Sequence, residues 1–133
     1  MLSEGLEKKL NSRKLFEIVY KDGTSVYSKE KLIKAKYYLS VKSVFPNLKM
    51  AVSVSSKSGG AVWRNRIKRL MNESIRTKKK QLSNLVLNRN VSLLVVFSPN
   101  KLNQQNIKDV KFNIVNSAIL EILDIIERKI NDL

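Results

Sequence analysis

The spacing of apolar positions along the chain changes several times between helical and extended periods. Repeats at i, i+3 and i+4 predict three helices, over residues 12–21, 61–80 and 103–130. Alternating or continuous apolar stretches predict strands over residues 24–28, 31–41, 48–56 and 91–97. The order is helix, two or three strands, helix, strand, helix. It predicts an α+β sandwich whose helices pack on one sheet.

Period-two alternation is clearest in the second predicted strand. One face carries Ile33, Ala35, Tyr37, Leu39 and Val41, and the other carries Lys34, Lys36, Tyr38 and Ser40. Residues 43–47, with Pro46, predict the turn of a hairpin to the next strand. In that strand Leu48, Met50, Val52 and Val54 are expected to face inward, with Lys49, Ala51, Ser53 and Ser55 outward. The run VSLLVVF, ended by Pro99, predicts a central strand buried on both faces.

The predicted helix over residues 61–80 separates an apolar stripe from a basic face. The apolar stripe contains Trp63, Ile67, Leu70, Met71 and Ser74. The opposite side carries Arg64, Asn65, Lys68, Arg69, Asn72, Arg76 and Lys79, with Arg66 near one boundary. Ile75 breaks this pattern, and Glu73 is the only carboxylate between residues 57 and 76. Exposed helices usually mix both charge signs, so this face indicates binding to RNA or DNA more than a merely soluble surface.

Turn and capping residues predict where the elements end. Ser12 is expected to cap the first helix, and Gly23 to end it in a left-handed conformation. Gly59 and Gly60 are expected to let the chain turn sharply into the second helix. Residues 81–90 are predicted to form a polar connection, and residues 78–80 a solvated lysine run at the helix end. The last predicted helix is expected to pack on the core, since it lacks the sustained heptads of a dimerising coiled coil.

Length and charge narrow the class of protein. The 133 residues suit a single domain over residues 1–133, with residues 1–11 polar and flexible. The chain has 26 Lys and Arg against 11 Asp and Glu, a formal charge of +15. Such an excess repels itself unless a polyanion relieves it, so nucleic acid is the leading partner and an anionic membrane surface the second. The sequence contains neither a transmembrane run nor the apolar core of a signal peptide, and it predicts a cytoplasmic protein with no membrane partner.

Missing residue types exclude several chemistries. The chain contains no Cys and no His, so thiolate nucleophiles, zinc knuckles and imidazole acid–base catalysis are excluded. The scattered carboxylates form no cluster suited to a metal nuclease. The densest acidic region is Asp109, Glu121, Asp124 and Glu127, where solvated positions on the last helix are expected. We therefore predict no catalytic residue and no metal ligand in this chain.

Three segments resemble one known family. AVWRNRIKR, residues 61–69, resembles the signature A-V-x-R-N-R-x-K-R of the protein subunit of bacterial ribonuclease P. FEIVYKDG is similar to that family's F-x-x-V-F-x-x-G segment, and KMAVSVSSKSGGAV is similar to R-x-G-x-S-V-S-K-K-x-G-N-A-V. The likeness runs in order from Lys9 to Pro99. The departures from the family pattern are Leu15, Ala51, Ser56, Gly60, Asn72 and Ser98.

This resemblance implies a fold and a function. The implied fold is a two-layer domain of order α-β-β-β-α-β-α, with a mixed central sheet and a left-handed β-α-β crossover. The implied function is that of a ribonucleoprotein whose RNA subunit removes the five-prime leader of precursor tRNA by metal-assisted hydrolysis. The implied partners are the catalytic RNA and precursor tRNA, while protein partners are unknown. The protein is expected to be inactive alone and to bind no cofactor by itself, with magnesium expected in the complex.

The resemblance also implies site residues. The residues expected to bind the catalytic RNA are Lys57, Arg64, Asn65, Arg66, Lys68, Arg69 and Arg76. Phe16 and Tyr20 are expected to line a cleft for the single-stranded leader. Lys34 and Lys36 are assigned to the same cleft from their shared strand face, as a track for the RNA backbone, and not from the resemblance.

Several alternatives stay open at this point. Spacing alone favours core or staple positions for Phe16 and Tyr20. For Lys34 and Lys36 an ordinary half-solvated strand explains the pattern as well as an RNA-binding face does. A ribosomal or other structural RNA-binding protein fits the charge and the fold. A peripheral membrane protein fits only the charge, because its helix would need an exposed Trp or Leu beside the lysines. An autonomous nuclease fits least.

Overall fold

The computed structural model describes residues 12–42 and 46–133. The predicted flexibility of residues 1–11 lies outside these ranges. The helices are α1 (Ser12–Asp22), α2 (Ala61–Arg89) and α3 (Phe112–Asn131). The strands are β1 (Thr24–Tyr27), β2 (Ile33–Ser40), β3 (Leu48–Val52) and β4 (Ser92–Pro99), with a 3₁₀ turn at Ser56–Ser58. The predicted order α-β-β-β-α-β-α and the α+β class are confirmed.

The four strands form one mixed sheet in the order β1-β2-β4-β3. β2 pairs antiparallel with β1 and β4, whereas β3 pairs parallel with β4. The predicted hairpin between β2 and β3 is therefore wrong, because β4 lies between them. Pro46 favours a turn whether or not the flanking strands pair, and the apolar β4 takes the central position. Parallel β3 and β4 need a crossover, which α2 provides; the left-handedness of that crossover stays a prediction.

The two faces of the sheet differ, as the period-two pattern predicts. Ile33, Ala35 and Tyr37 of β2 are buried and form one cluster with Leu93, Val95 and Phe97 of β4 and the apolar stripes of α2 and α3. On the other face α1 packs against β2 and β4. Val19 of α1 and Val96 of β4 are buried outside the main cluster. β4 is thus covered on both sides, which agrees with its nearly continuous apolar sequence.

The long helix α2 continues well beyond the predicted end at Lys80. It runs to Arg89, and Asn90 ends it in a left-handed conformation, with φ 54° and ψ 45°. The predicted polar connection over residues 81–90 is wrong, because Leu82 and Val86 continue the buried stripe four residues apart. The polar residues between them lie on other sides of the helix, so they do not end it.

Helix α3 begins at Phe112, later than the predicted start at Asn103 or Gln104. The Asn103 side chain accepts a hydrogen bond from the Asn106 N–H at 2.9 Å, and the Asn103 carbonyl accepts one from the Ile107 N–H at 2.9 Å. These bonds close a turn that the next residues do not continue as a helix. Val110 is still buried, so it matches the helical period without being helical.

Within the described residues helix α1 spans Ser12–Asp22, and its end lies close to the predicted end at Lys21. The predicted left-handed conformation of Gly23 is wrong, because no described glycine has a positive φ. The glycine is required for space instead, since an added Cβ would lie 2.3 Å from the Val19 carbonyl oxygen. The Ser12 side chain, predicted to cap the helix, lies outside the described part of the structure.

Candidate nucleic-acid interface

An open groove of about 590 Å³ lies between α1 and α2, with β3 and β4 as its floor. The lining residues from the helices are Leu15, Phe16, Val19, Asn72, Ile75, Arg76 and Lys79. Those from the strands are Leu48, Lys49, Met50, Ala51, Leu94, Val95 and Val96. Three cations and no carboxylate are among them. The groove therefore combines an apolar floor with a positive rim, which suits an anionic chain carrying flat, apolar bases.

The two aromatic residues of α1 are not core residues. Phe16 is half-buried and lines the groove, while Tyr20 is 48% exposed. Their rings stack with centroids 6.1 Å apart and planes at 16°. Tyr20 is therefore not a core residue, Phe16 lies in the groove and outside the main core cluster, and the exposed part of the Tyr20 ring is available to a ligand. Of the β2 tyrosines, Tyr37 is buried in the core, whereas Tyr38 lies across Leu94 from Lys49 on the groove side.

The two lysines of β2 have different surroundings. Lys36 donates from Nζ to the Tyr20 carbonyl at 2.9 Å, and its Nζ lies 6.0 Å from the centre of the Tyr20 ring. Its ammonium group is thus bonded to the C-terminal part of α1, where the helix dipole favours a cation. The Lys34 side chain is exposed and makes no hydrogen bond or ion pair with any residue of 12–42 and 46–133. Both lie on the sheet face that carries Val96, Leu94 and Ala51 of the groove.

A basic stripe runs along the exposed side of α2. Each of its members lies three or four residues from another member, which places them side by side on a helix: Asn65, Lys68, Arg69, Asn72, Arg76 and Lys79. All six are exposed. From Asn65 to Lys79 the stripe is about 21 Å long at 1.5 Å per residue. Its last three members line the groove, so the stripe joins the RNRIKR segment to the groove.

The cations of this stripe have no acidic partners in the described part of the chain. The ion pairs found there are Arg13–Glu17 and Lys111–Asp109, both away from the stripe. A row of unpaired cations on a rigid helix is suited to phosphate groups, because few internal ion pairs need to be broken first.

Three polar residues of the groove are not among the predicted site residues. Lys49 and Asn72 were outside that set, and Lys79 was assigned to a solvated run. The sequence contained a signal for two of them, since Asn72, Arg76 and Lys79 repeat at helical spacing. No sequence signal places Lys49 beside α2, because that depends on the strand order.

The predicted RNA-binding arginines are not equivalent. Arg64 and Arg66 are half-buried, and the Nε atom of each is buried without a hydrogen-bond partner in the described structure. Arg66 donates from Nη2 to the Val110 carbonyl at 2.8 Å. A hydrogen bond and the charge of Lys111, with a smaller contribution from Arg66, hold the pKa of Asp109 below its ordinary value. Arg66 is thus engaged within the protein, unlike exposed Arg69.

Lys57 lies apart from the groove, in the 3₁₀ turn before α2. Neither glycine that follows makes the predicted sharp turn: Gly59 has φ 165° and Gly60 has φ −70°, both extended. Lys57 lines a second cavity, of about 450 Å³, whose other walls come from Ser58, Gly59 and residues 103–108. The predicted RNA-binding residues therefore occupy two neighbouring surfaces rather than one.

The arrangement supports binding of polyanions. Within residues 12–42 and 46–133 no three His, Cys, Asp or Glu residues are close enough to hold a metal ion together. No helix in the same ranges is both long and apolar enough to cross a membrane. Trp63 is 4% exposed and donates from Nε1 to the Ile107 carbonyl at 3.0 Å. Trp63 therefore does not provide the exposed Trp or Leu that the peripheral-membrane alternative needs beside the lysines.

Comparison with known protein families agrees with this arrangement. A profile of the Ribonuclease P family matches residues 6–121. The ribonuclease P protein component of Dictyoglomus thermophilum is 31% identical over 116 residues, 87% of this chain and 85% of that protein. The component from Exiguobacterium is 36% identical over 70 residues, 53% of this chain. The component from Macrococcus caseolyticus is 41% identical over 66 residues, 50% of this chain. In these last two the match spans only 57% and 53% of the relative's own length.

Solved structures of the same kind share the fold. The RNase P protein of Staphylococcus aureus superposes with a TM-score of 0.64 at 20% identity, covering 88% of this chain and 93% of that one. The RNase P protein of Thermotoga maritima gives a TM-score of 0.61 at 22% identity, covering 90% and 94%. At these identities the likeness concerns the fold.

Proposed function

The chain belongs to the Ribonuclease P family, and we propose that it is the protein subunit of a ribonuclease P ribonucleoprotein. In this role it assists the endonucleolytic removal of the five-prime leader from precursor tRNA, in the cytoplasm. One observation carries the proposal: the basic stripe of α2 leads without interruption into an aromatic and cationic groove. A single rigid helix can thus contact one RNA along its first half and a second RNA along its middle.

The first half of α2 docks on the catalytic RNA. Arg69 and Lys68 are exposed and free of acidic partners within the described residues, and Arg64 is half-buried beside them. Arginine is suited to this task because its planar fork binds phosphate oxygens in a bidentate manner and stacks on bases. Asn65 adds an amide that can hydrogen-bond to RNA without charge. Arg76 lies eleven residues after Asn65, in the groove, and contacts the leader.

The groove holds the leader as a single strand. Bases stack on the exposed ring of Tyr20 and on Phe16, contacts that tolerate any base because every base has an aromatic face. Lys34 attracts the backbone from the sheet side, and Arg76 with Lys79 from the α2 side. Lys36 acts mainly by fixing Tyr20, since its ammonium group is bonded to the Tyr20 carbonyl.

The hydrolytic chemistry belongs to the RNA subunit. The chain contains no His and no Cys, and its described carboxylates form no shared ligand set. Magnesium ions, which favour oxygen ligands and retain water, would be held mainly by RNA oxygens in the complex. The protein contributes charge: its cations reduce repulsion between the two RNAs, which tightens substrate binding. On its own the protein does not cleave RNA.

Salt dependence tests the phosphate-led docking. If about 6 phosphates are neutralised, the logarithm of affinity for the catalytic RNA falls with the logarithm of salt concentration at a slope of roughly −4 to −5 for single-stranded or −5 to −6 for duplex contacts. Replacing Arg64 and Arg69 together by alanine makes the slope shallower by about 1.4–1.8. The replacement should leave the circular dichroism spectrum unchanged.

A matched control removes the same charge elsewhere. Arg128 and Lys129 are exposed in the last turn of α3, and their double alanine variant is expected to retain the slope of the unaltered protein. Equal slopes for both double variants, or unfolding of the Arg64 and Arg69 variant, would contradict the assigned docking role.

A structural RNA-binding protein with no part in cleavage is the second candidate. The same stripe and the same fold would serve it. The two candidates differ in whether the protein recognises the leader. With the catalytic RNA present, a structural protein is not expected to bind precursor tRNA more tightly than mature tRNA. A leader-dependent gain in affinity therefore separates them.

A further inference from the structure

The second cavity is formed where residues 103–108 close over the 3₁₀ turn that precedes α2. Its volume is about 450 Å³. Its lining is entirely polar or glycine: Lys57, Ser58, Gly59, Asn103, Gln104, Gln105 and Lys108. It lies outside the groove and shares no lining residue with it.

Three hydrogen bonds hold the segment 103–111 against the start of α2. Each joins residues 44 apart, so the two segments run side by side in the same direction. The pairs are Gly60 N to Gln104 Oε1 (2.8 Å), Trp63 Nε1 to Ile107 O (3.0 Å) and Arg66 Nη2 to Val110 O (2.8 Å). We call these three bonds the latch. The Gln104 N–H also donates to the Ser58 carbonyl at 2.8 Å.

Close packing supports the latch. A Cβ on Gly59 would lie 2.9 Å from the Gln104 Cβ and 2.9 Å from the Trp63 ring, so only glycine lets the segment approach this closely. Asn103 closes its own turn with Asn106 at 2.9 Å. The segment is therefore held in one position before any ligand arrives, which lowers the ordering cost of binding.

The polar groups of this cavity are largely free. The ammonium groups of Lys57 and Lys108 and the amide of Gln105 make no hydrogen bond or ion pair within the described ranges. No carboxylate lines the cavity. The neighbouring Asp109 forms its ion pair with Lys111, at 2.8 Å, and not with either cavity lysine.

We propose that the latched segment presents Lys57 and Lys108 as a second contact for the RNA sugar–phosphate backbone, with Arg66 as a positioning residue that does not touch RNA. This rests on the proposed function and deepens it, since it divides the signature arginines by role. Arg69 contacts phosphate, whereas Arg66 is half-buried and donates from Nη2 to the Val110 carbonyl. The free amide of Gln105 can hydrogen-bond to a phosphate or a ribose hydroxyl.

Two readouts on the full-length protein test this. The first is the salt slope of binding to the catalytic RNA: Lys57→Ala with Lys108→Ala should make it shallower by about 1.4–1.8, while Lys129→Ala leaves it unchanged. The second is hydrogen exchange of the amides of residues 104–111. Arg66→Ala should speed that exchange several-fold and leave the slope within experimental error of the unaltered protein. Trp63→Phe removes the indole donor, together with part of the buried ring, and should speed exchange of the same amides.

The possible outcomes separate this inference from the proposed function. If the unaltered protein shows the expected salt slope and the Lys57 and Lys108 double variant shows the same slope, the second RNA contact is overturned. The proposed function is then unaffected. A slope reduced by about one in Arg66→Ala, with exchange unchanged, makes Arg66 a phosphate contact and overturns its positioning role. If Arg66→Ala does not fold, unchanged exchange in Trp63→Phe overturns the latch. Failure of the unaltered protein to bind the RNA overturns the proposed function and this surface with it.

Discussion

Replacing Phe16 and Tyr20 by alanine is expected to weaken binding of leader-bearing precursor tRNA by about 1–3 kcal/mol for each base that stacks on the pair. The physical reason is the loss of two aromatic faces, one of them 48% exposed and stacked on its neighbour at 6.1 Å. The measurement is the dissociation constant of precursor tRNA for the assembled ribonucleoprotein. Mature tRNA, which has no leader, is expected to bind the variant and the unaltered complex equally.

A matched control removes two aromatic rings outside the groove. Tyr27 and Phe112 are 42% and 38% exposed, and neither lines the groove. Their double alanine variant is expected to bind precursor tRNA as the unaltered protein does. The assignment of the groove to the leader is wrong if both double variants lose the same affinity, or if the Phe16 and Tyr20 variant loses it equally for mature tRNA.

Leu82→Ala is expected to lower the free energy of unfolding by about 2–5 kcal/mol, the usual range for a buried leucine. Leu82 is 1% exposed and packs in the main core from the last third of α2. Leu87, in the same helix, is 55% exposed, so Leu87→Ala is expected to change stability by no more than about 0.5 kcal/mol. The two variants make the same chemical change in one helix and differ only in burial.

Denaturant unfolding followed by circular dichroism measures both variants. Similar small effects for both variants would mean that residues 81–89 do not pack on the core. That result would agree with the polar connection predicted from the sequence. Similar large effects would mean that the orientation of this part of α2 differs from the one described. Either result would contradict the packing described for the last third of α2, which anchors the helix that carries the basic stripe.

The sequence predicted well those features that depend on local period. Alternation in β2 placed Ile33 and Ala35 inward and Lys34 outward, and the structure confirms this. The stripe from Trp63 to Ser74 is buried as expected. These patterns are reliable because each position repeats the same contact with the core, so one misjudged residue does not change the result.

Features that depend on distant partners were predicted less well. The hairpin between β2 and β3 failed because nothing in residues 41–48 indicates that β4 will enter between those strands. The end of α2 was misplaced because polar residues 78–81 conceal the buried Leu82 and Val86 that follow. The start of α3 was misplaced because Ile107 and Val110 have helical spacing, yet their carbonyls accept bonds from Trp63 and Arg66.

The candidate site shows the same division. The signature segment marked the basic face of α2 correctly as a surface, and Arg69 and Lys68 are exposed there. The sequence did not reveal that Arg66 is bonded to Val110, since 44 residues separate them. Nor did it reveal Lys49 in the groove, which lies beside α2 only because β3 pairs parallel to β4.

Precursor-tRNA cleavage at low magnesium tests the central claim most directly. The assay uses a bacterial catalytic RNA with this protein, the same RNA alone, and the protein alone. We expect the five-prime leader to be released faster with both components than with RNA alone, and no cleavage by the protein alone. Cleavage by the protein alone would contradict the assignment of the chemistry to RNA. Binding of the catalytic RNA without any stimulation would contradict the proposed role and favour a structural RNA-binding protein.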